Sequence, residues 1–200
     1  MILQLFPTTV YLDKNIDMIS VGSTLFDIWP EDTRFNGHFK TTLKGEYCPH
    51  KIPVTWELTN VPEAQPLIEY IKQSAEKFLQ ENKNKPHTVQ VQNVWLNEMS
   101  SGNKHPVHAH YGYSLSGTFY VQVPTGSNKI GFYNPSDGLG HFLGVTSRDD
   151  WTPSNSMSWW VSVEEGNIIL FPSYIKHEVP AMEFTGLRKS ISFDLALIPL

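Results

Sequence analysis

Arg188-Lys189-Ser190-Ile191-Ser192-Phe193-Asp194-Leu195-Ala196-Leu197 alternates with a period of two. Arg188, Ser190, Ser192 and Asp194 fall on one side; Ile191, Phe193, Leu195 and Leu197 fall on the other. This is the pattern of a strand with one apolar face and one polar face. Residues 116–123 repeat it, with Phe119, Val121 and Val123 alternating against Thr118, Tyr120 and Gln122. Residues 89–96, 129–133, 159–163 and 167–171 read as further short strands. Turn signals separate them at 124–127, 134–138 and 164–167.

Upstream, residues 1–60 read as short strands and turns, with β-rich stretches at 8–11 and 54–58. One helix follows, at about 62–81. Leu67, Ile68, Ile71, Ala75, Phe78 and Leu79 fall at helical spacing, and Asn60 with Glu63 has the spacing of a capping box. The Asn-, Lys- and Pro-containing stretch 82–86 ends it. Its apolar stripe is expected to pack on a sheet. Many short strands with one helix predict a mainly β protein, a jelly roll or sandwich decorated by that helix. The long Gly-, Ser-, Asp- and Pro-rich connection 138–158 is a candidate lid on the substrate side, with Trp151, Trp159 and Trp160 near it.

Composition agrees with a folded domain. Two hundred residues suit a single domain, and 40% hydrophobic and 12% aromatic residues suffice for a core. Only 18% are charged, against roughly 25% in an average soluble protein, which excludes a disordered chain. Fifteen basic and twenty acidic residues give a net charge of −5, so no nucleic-acid footprint is present. No apolar run approaches the roughly 18 residues of a membrane helix, and no membrane partner is expected. Cys48 is the sole cysteine, which excludes an intrachain disulfide and a multi-cysteine zinc site. The opening Met1-Ile2-Leu3-Gln4-Leu5-Phe6-Pro7 lacks the features of a secretory signal, so the cytoplasm is the expected compartment.

Eight histidines direct attention to imidazole chemistry, and the densest cluster is His105-Pro106-Val107-His108-Ala109-His110. At a strand end, His108 and His110 share one face and can chelate one metal ion; two surface histidines are the alternative. His177 follows the apolar run 168–172, and Arg188 and Ser190 come eleven and thirteen residues after it. A guanidinium fork beside a hydroxyl suits a carboxylate; an exposed ion pair is the alternative. His105, before a proline, reads as a solvent-facing loop residue, with a place just behind the metal ligands as the alternative. His38, His50, His87 and His141 lack partners at ligand spacing and read as surface positions. Glu178 points away from the face of His177. No Gly-x-Ser-x-Gly elbow and no Gly-Lys-Ser/Thr triplet occurs, so neither a serine hydrolase nor a phosphate-binding loop is supported.

The order H-x-H, a strand, a distant His and then R-x-S resembles the Fe(II)/2-oxoglutarate-dependent oxygenases. More narrowly, His108-Ala109-His110, residues 115–121, Phe171-Pro172-Ser173 with His177, and residues 188–193 resemble a group of such enzymes in bacteria and phages. The opening Leu5-Phe6-Pro7-Thr8 is also similar to that group. The resemblance implies a double-stranded β-helix (jelly roll, cupin-like), with 1–200 a single oxygenase-like domain. Residues 1–86 would supply N-terminal strands and the supporting helix, and 87–200 the β-helix core. It implies Fe(II), 2-oxoglutarate (2OG) and O2 as cofactor and cosubstrates. The implied reaction is a hydroxylation coupled to decarboxylation of 2OG to succinate.

Carried over by position, His108 and His177 would be iron ligands. Arg188 and Ser190 would hold the distal carboxylate of 2OG, with Tyr120 adding a phenol hydrogen bond or serving as a half-buried strand residue. Asn97 and Trp151 are candidate pocket residues. Position 110 departs from the superfamily, where Asp or Glu is usual. The narrower group is similar in carrying histidine, which keeps His110 as a ligand. The alternatives are a carboxylate from Asp137, Asp149 or Asp150, or a His110 that binds no metal.

Two rival classes are a three-histidine cupin-like dioxygenase that does not use 2OG, and a non-catalytic β-sandwich binding module. Neither requires the spacing of His177 with Arg188 and Ser190. The substrate expected is a small molecule or a peptide.

Overall fold

The structure, a computed structural model, describes residues 8–29, 58–136 and 150–200. Nine antiparallel strands in these segments form two sheets. The larger sheet has the order β1 (Tyr11–Lys14), β7 (Asn167–Pro172), β4 (Leu115–Gln122), β9 (Arg188–Pro199), β2 (His87–Met99). The smaller has the order β3 (His105–His108), β8 (His177–Val179), β5 (Lys129–Tyr133), β6 (Ser158–Ser162). Helices α1 (Met18–Asp27) and α2 (Gln65–Glu81) pack beside the larger sheet.

The alternation of β9 decides where the site lies. Ile191, Phe193 and Leu195 join Phe119 of β4, Ile168 and Leu170 of β7, and Leu67, Ile71 and Phe78 of α2 in the main apolar core. The odd partners of β7, Ile169 and Phe171, join Tyr120, Ile130, Phe132 and Val163 in a second cluster between the sheets. Both faces of β7 are covered, which is why Ile168–Phe171 is an uninterrupted apolar run. The polar face of β9 therefore also points between the sheets, away from solvent.

Strands β2, β4, β5, β6, β7 and β9 agree with the sequence reading to within three residues, the short β3 and β8 were not expected, and α2 ends at Glu81 as expected. The capping box at Asn60 and Glu63 is not formed. The chain enters through a 3-10 turn at Pro62–Ala64, and α2 starts with Pro66 in its first turn and no side-chain cap. Prolines that need no N–H partner open the helix instead. Gln65 Nε2 donates to the carbonyls of Thr59 (2.9 Å) and Val61 (3.4 Å), tying the entry down.

A second correction concerns α1, in a segment read as strands and turns. Its Ser20, Val21, Gly22, Ser23 and Thr24 are poor helix formers, so propensity hid it. Packing overrides propensity: Leu25 and Phe26 are buried, and Gly22 lets α1 approach β4 so closely that a Cβ there would strike Val121. β1 begins only at Tyr11. The expected strand at 54–58, apart from Leu58, lies outside the described residues, as do the opening 5–7, Cys48, His38, His50, His141 and most of the 138–158 connection. No helix among the described residues is long and apolar enough to cross a membrane.

Gly117 of β4 is a point of close approach between layers. A Cβ there would collide with the Ile169 carbonyl and the Phe193 ring. Gly117→Ala should therefore cost about 1–3 kcal/mol, the usual cost of overpacking, and lower the urea midpoint with an unchanged slope.

Candidate active site

The site lies between the sheets, and the strand register assembles it. On the larger sheet three cross-strand rows run over β2, β9 and β4: Asn93–Asp194–Ser116, Trp95–Ser192–Thr118 and Asn97–Ser190–Tyr120. Arg188 opens β9 opposite Met99. On the smaller sheet His108 pairs directly with His177, which pairs with Phe132. A β4–β9 register shift between Tyr120 and Gln122 and a β3–β8 shift between His105 and His108 flank the site. Such bulges re-aim side chains.

One cavity is lined by His108, His110, His177, Arg188, Ser190 and Tyr120 together. Asn97 lines it too, with its Nδ2 donating to Ser192 Oγ (2.8 Å). Trp151 does not: it is 57% exposed and absent from the wall. Asp150 is exposed as well; Asp137 and Asp149 lie outside the described residues. Of the two readings of His105, the structure favours the place beside the ligands over the solvent-facing loop. His105 starts β3 opposite Val179 and lines the cavity, its ring 6.3 Å from that of His108.

The three histidines converge. One potential ligand atom from each lies within 4.8 Å of the others, and their ring centroids are 4.3 Å (His108–His177), 5.1 Å (His108–His110) and 5.2 Å (His110–His177) apart. Hydrogen bonds assign their tautomers. Nδ1 of His108 faces the Pro106 carbonyl at 2.7 Å, and Nδ1 of His177 faces the Ile175 carbonyl at 3.0 Å. A carbonyl only accepts, so each Nδ1 carries the proton and each Nε2 keeps a lone pair. His110 Nδ1 faces Asp194 Oδ1 at 2.9 Å, and since a carboxylate only accepts, this Nδ1 carries a proton too. Burial, and then the neighbouring His108, pushes the His177 pKa down to about 3; burial also lowers that of His108. Both rings are thus held neutral, the form that binds a metal.

Arg188 is 2% exposed, yet no carboxylate among the described residues pairs with it. Its Nε donates to the Ser127 carbonyl (3.0 Å), and its guanidinium lies 5.1 Å from the Tyr120 ring centroid. Among the described residues, its Nη2 and the buried Tyr120 hydroxyl have no partner at hydrogen-bonding geometry, though the two side chains attract one another. Burial lowers the Arg188 pKa and raises that of Tyr120, with the attraction between the two opposing both shifts. A buried cation and a buried donor with open valences in one cavity are what an anionic ligand would satisfy.

Several lining residues escaped the sequence reading. Trp95 stacks on His110 (5.8 Å between centroids, 19° between planes), and Thr118 Oγ1 lies 3.1 Å from Ser192 Oγ. Asp194 was visible only as a member of the polar face of β9; nothing in the sequence brought it to His110.

Residues 93–194 match the family model described as "Putative 2OG-Fe(II) oxygenase". No curated protein sequence matches the chain. Among solved structures the chain is similar to AviO1 from Streptomyces viridochromogenes Tue57 (TM-score 0.59, 12% identity, 96% of this chain and 91% of that one covered). It is also similar to the viral collagen prolyl hydroxylase vCPH from Paramecium Bursaria Chlorella virus-1, solved as a 2OG complex (TM-score 0.54, 9% identity, 96% of each covered). A third similar structure is an oxidoreductase of the 2OG-Fe(II) oxygenase family from Burkholderia pseudomallei (TM-score 0.51, 10% identity, 69% of this chain covered); the chain spans 60% of that protein. At these identities the structures establish a shared fold, the double-stranded β-helix.

Proposed function

The chain belongs to the 2OG-Fe(II) oxygenase family, and from that premise we propose that it is a hydroxylase in which His108, His110 and His177 hold Fe(II) while Arg188, Ser190 and Tyr120 hold 2OG. When bound, Fe(II) supplies the means to reduce O2 with electrons from 2OG and a substrate C–H bond. One oxygen atom enters succinate as CO2 leaves, and the other enters the substrate as a hydroxyl.

The residues do the rest. Backbone carbonyls and Asp194 hold the Nδ1 side of the three imidazoles, leaving Nε2 of each to serve as the ligand atom; one potential ligand atom from each lies within 4.8 Å of the others. The unpaired Arg188 guanidinium receives the distal carboxylate of the keto acid. Tyr120 donates its free phenol proton to it, and Ser190 lies beside them in the same cavity. Phe171 and Ile130 make the inner wall apolar, with Phe132 packed in the same cluster. The substrate, a small molecule or a peptide, approaches from the exposed side of His108.

The buried Arg188, with no carboxylate partner among the described residues and in the same cavity as three convergent imidazoles, carries this reading. A three-histidine dioxygenase that ignores 2OG has no use for it.

Anaerobic titration of the Fe(II)-loaded protein with 2OG tests the reading. A metal-to-ligand charge-transfer band should appear and saturate at one equivalent. Iron that binds without such a band, combined with oxygen uptake indifferent to 2OG, would refute the assignment.

A further inference from the structure

The three imidazoles are not equivalent. His108 and His177 are each backed by a neutral backbone carbonyl, whereas His110 is backed by a carboxylate. That carboxylate, on Asp194, is 3% exposed. Its Oδ1 accepts from Ser116 Oγ (2.6 Å) and faces His110 Nδ1 (2.9 Å); its Oδ2 accepts from Asn93 Nδ2 (3.4 Å). No lysine or arginine pairs with it among the described residues. The polar groups gathered on Asp194 are thus a serine, an amide and the imidazole that leads to the centre.

On the ligand assignment proposed above, the structure assigns Asp194 as a positioning residue that supplies the metal centre's negative charge through His110. The His110–Asp194 pair would thereby stand in for a directly bound carboxylate. A carboxylate behind a ligating imidazole fixes its ring and raises the basicity of its metal-binding nitrogen. A site of three carbonyl-backed imidazoles would carry one more positive charge than a site of two histidines and a carboxylate. Asp194 restores that balance from one residue farther out. The surroundings hold the pair in place: Trp95 stacks on the His110 ring, the His110 backbone N–H donates to the Ser173 carbonyl (2.9 Å), and the Ser173 and Ser116 hydroxyls are hydrogen-bonded (2.8 Å).

Asp194→Asn keeps the size and one acceptor oxygen while removing the charge. Co(II) affinity, measured anaerobically by its visible absorption, should fall about 10–100-fold in Asp194→Asn, with the circular dichroism of the apo-protein unchanged. In a His110→Ala background the same change should cost nothing further, because the route to the metal is gone. A wild-type affinity in Asp194→Asn beside a weakened His110→Ala overturns the role of Asp194 and leaves the ligand assignment standing. A wild-type affinity in His110→Ala overturns the ligand assignment itself. Losses that add in the double variant show that Asp194 acts elsewhere, which also overturns the inference. A measurement on the unaltered chain avoids any folding defect. In the Zn(II) protein, 15N NMR should show one metal-bound histidine whose Nδ1 is shifted toward imidazolate character, and two that are not; three equivalent Nδ1 signals would refute the role.

Discussion

Replacing Arg188 with methionine should weaken 2OG binding about 30- to 5,000-fold and leave the melting temperature of the apo-protein unchanged or raised. The two effects share a cause. With 2OG bound, the guanidinium is half of a buried charge pair, and truncating such a partner costs about 2–5 kcal/mol. Without 2OG it is a buried cation with an unpartnered Nη2, and a buried charge lacking its counter-ion destabilises the fold. Methionine fills similar space without that penalty. The losses are the charged Nε hydrogen bond to the Ser127 carbonyl, worth about 1.5–3 kcal/mol, the weaker Nη1 contact with Met99 Sδ (3.6 Å), and the contact over Tyr120, worth roughly 1–2 kcal/mol. Calorimetric titration with 2OG and a melt of each apo-protein read the two effects separately. Retained 2OG affinity would remove Arg188 as the anchor. A large drop in melting temperature would make it a structural residue instead.

The second large effect is expected at His177. This imidazole lies between His108 (4.3 Å) and Phe171 (4.6 Å), buried, with its Nδ1 committed to the Ile175 carbonyl. It has no freedom to do anything but present Nε2 to its neighbours. Structural zinc sites gain about 10–16 kcal/mol from four ligands, so each ligand is worth roughly 3 kcal/mol, about a hundredfold in affinity. His177→Ala should therefore weaken Co(II) binding by about a hundredfold or more. His105→Ala should change it less than about threefold: His105 lines the same cavity but does not belong to the convergent trio. Comparable losses in the two variants would mean that the trio is not the metal site.

The two sides of the site were unequally legible in the sequence. The alternation of residues 188–197 put Arg188, Ser190, Ser192 and Asp194 on one face, and the structure keeps that face together between the sheets. His108 and His110 were visible as a pair because two residues return a strand to the same side. The place of His105 was hard to read because a loop-like composition hid the short strand that β3 forms against β8, a pairing 69–74 residues distant in sequence. α1 was hidden for the complementary reason: its residues prefer other conformations, and packing against β4, α2 and the turn at Pro62–Ala64 makes them helical.

The amino-acid sequence by itself determined the period of each strand, hence which side chains share a face, along with the residue types that can hold a metal and a dicarboxylate. Those properties are local, set by the backbone geometry of a few consecutive residues. Only the tertiary structure decided that His110 meets Asp194, that Trp95 covers its ring, and that Arg188 is buried with no counter-ion among the described residues. Each of those depends on the register between strands far apart in the chain, and register follows from the packing of whole sheets, which no short stretch of sequence contains.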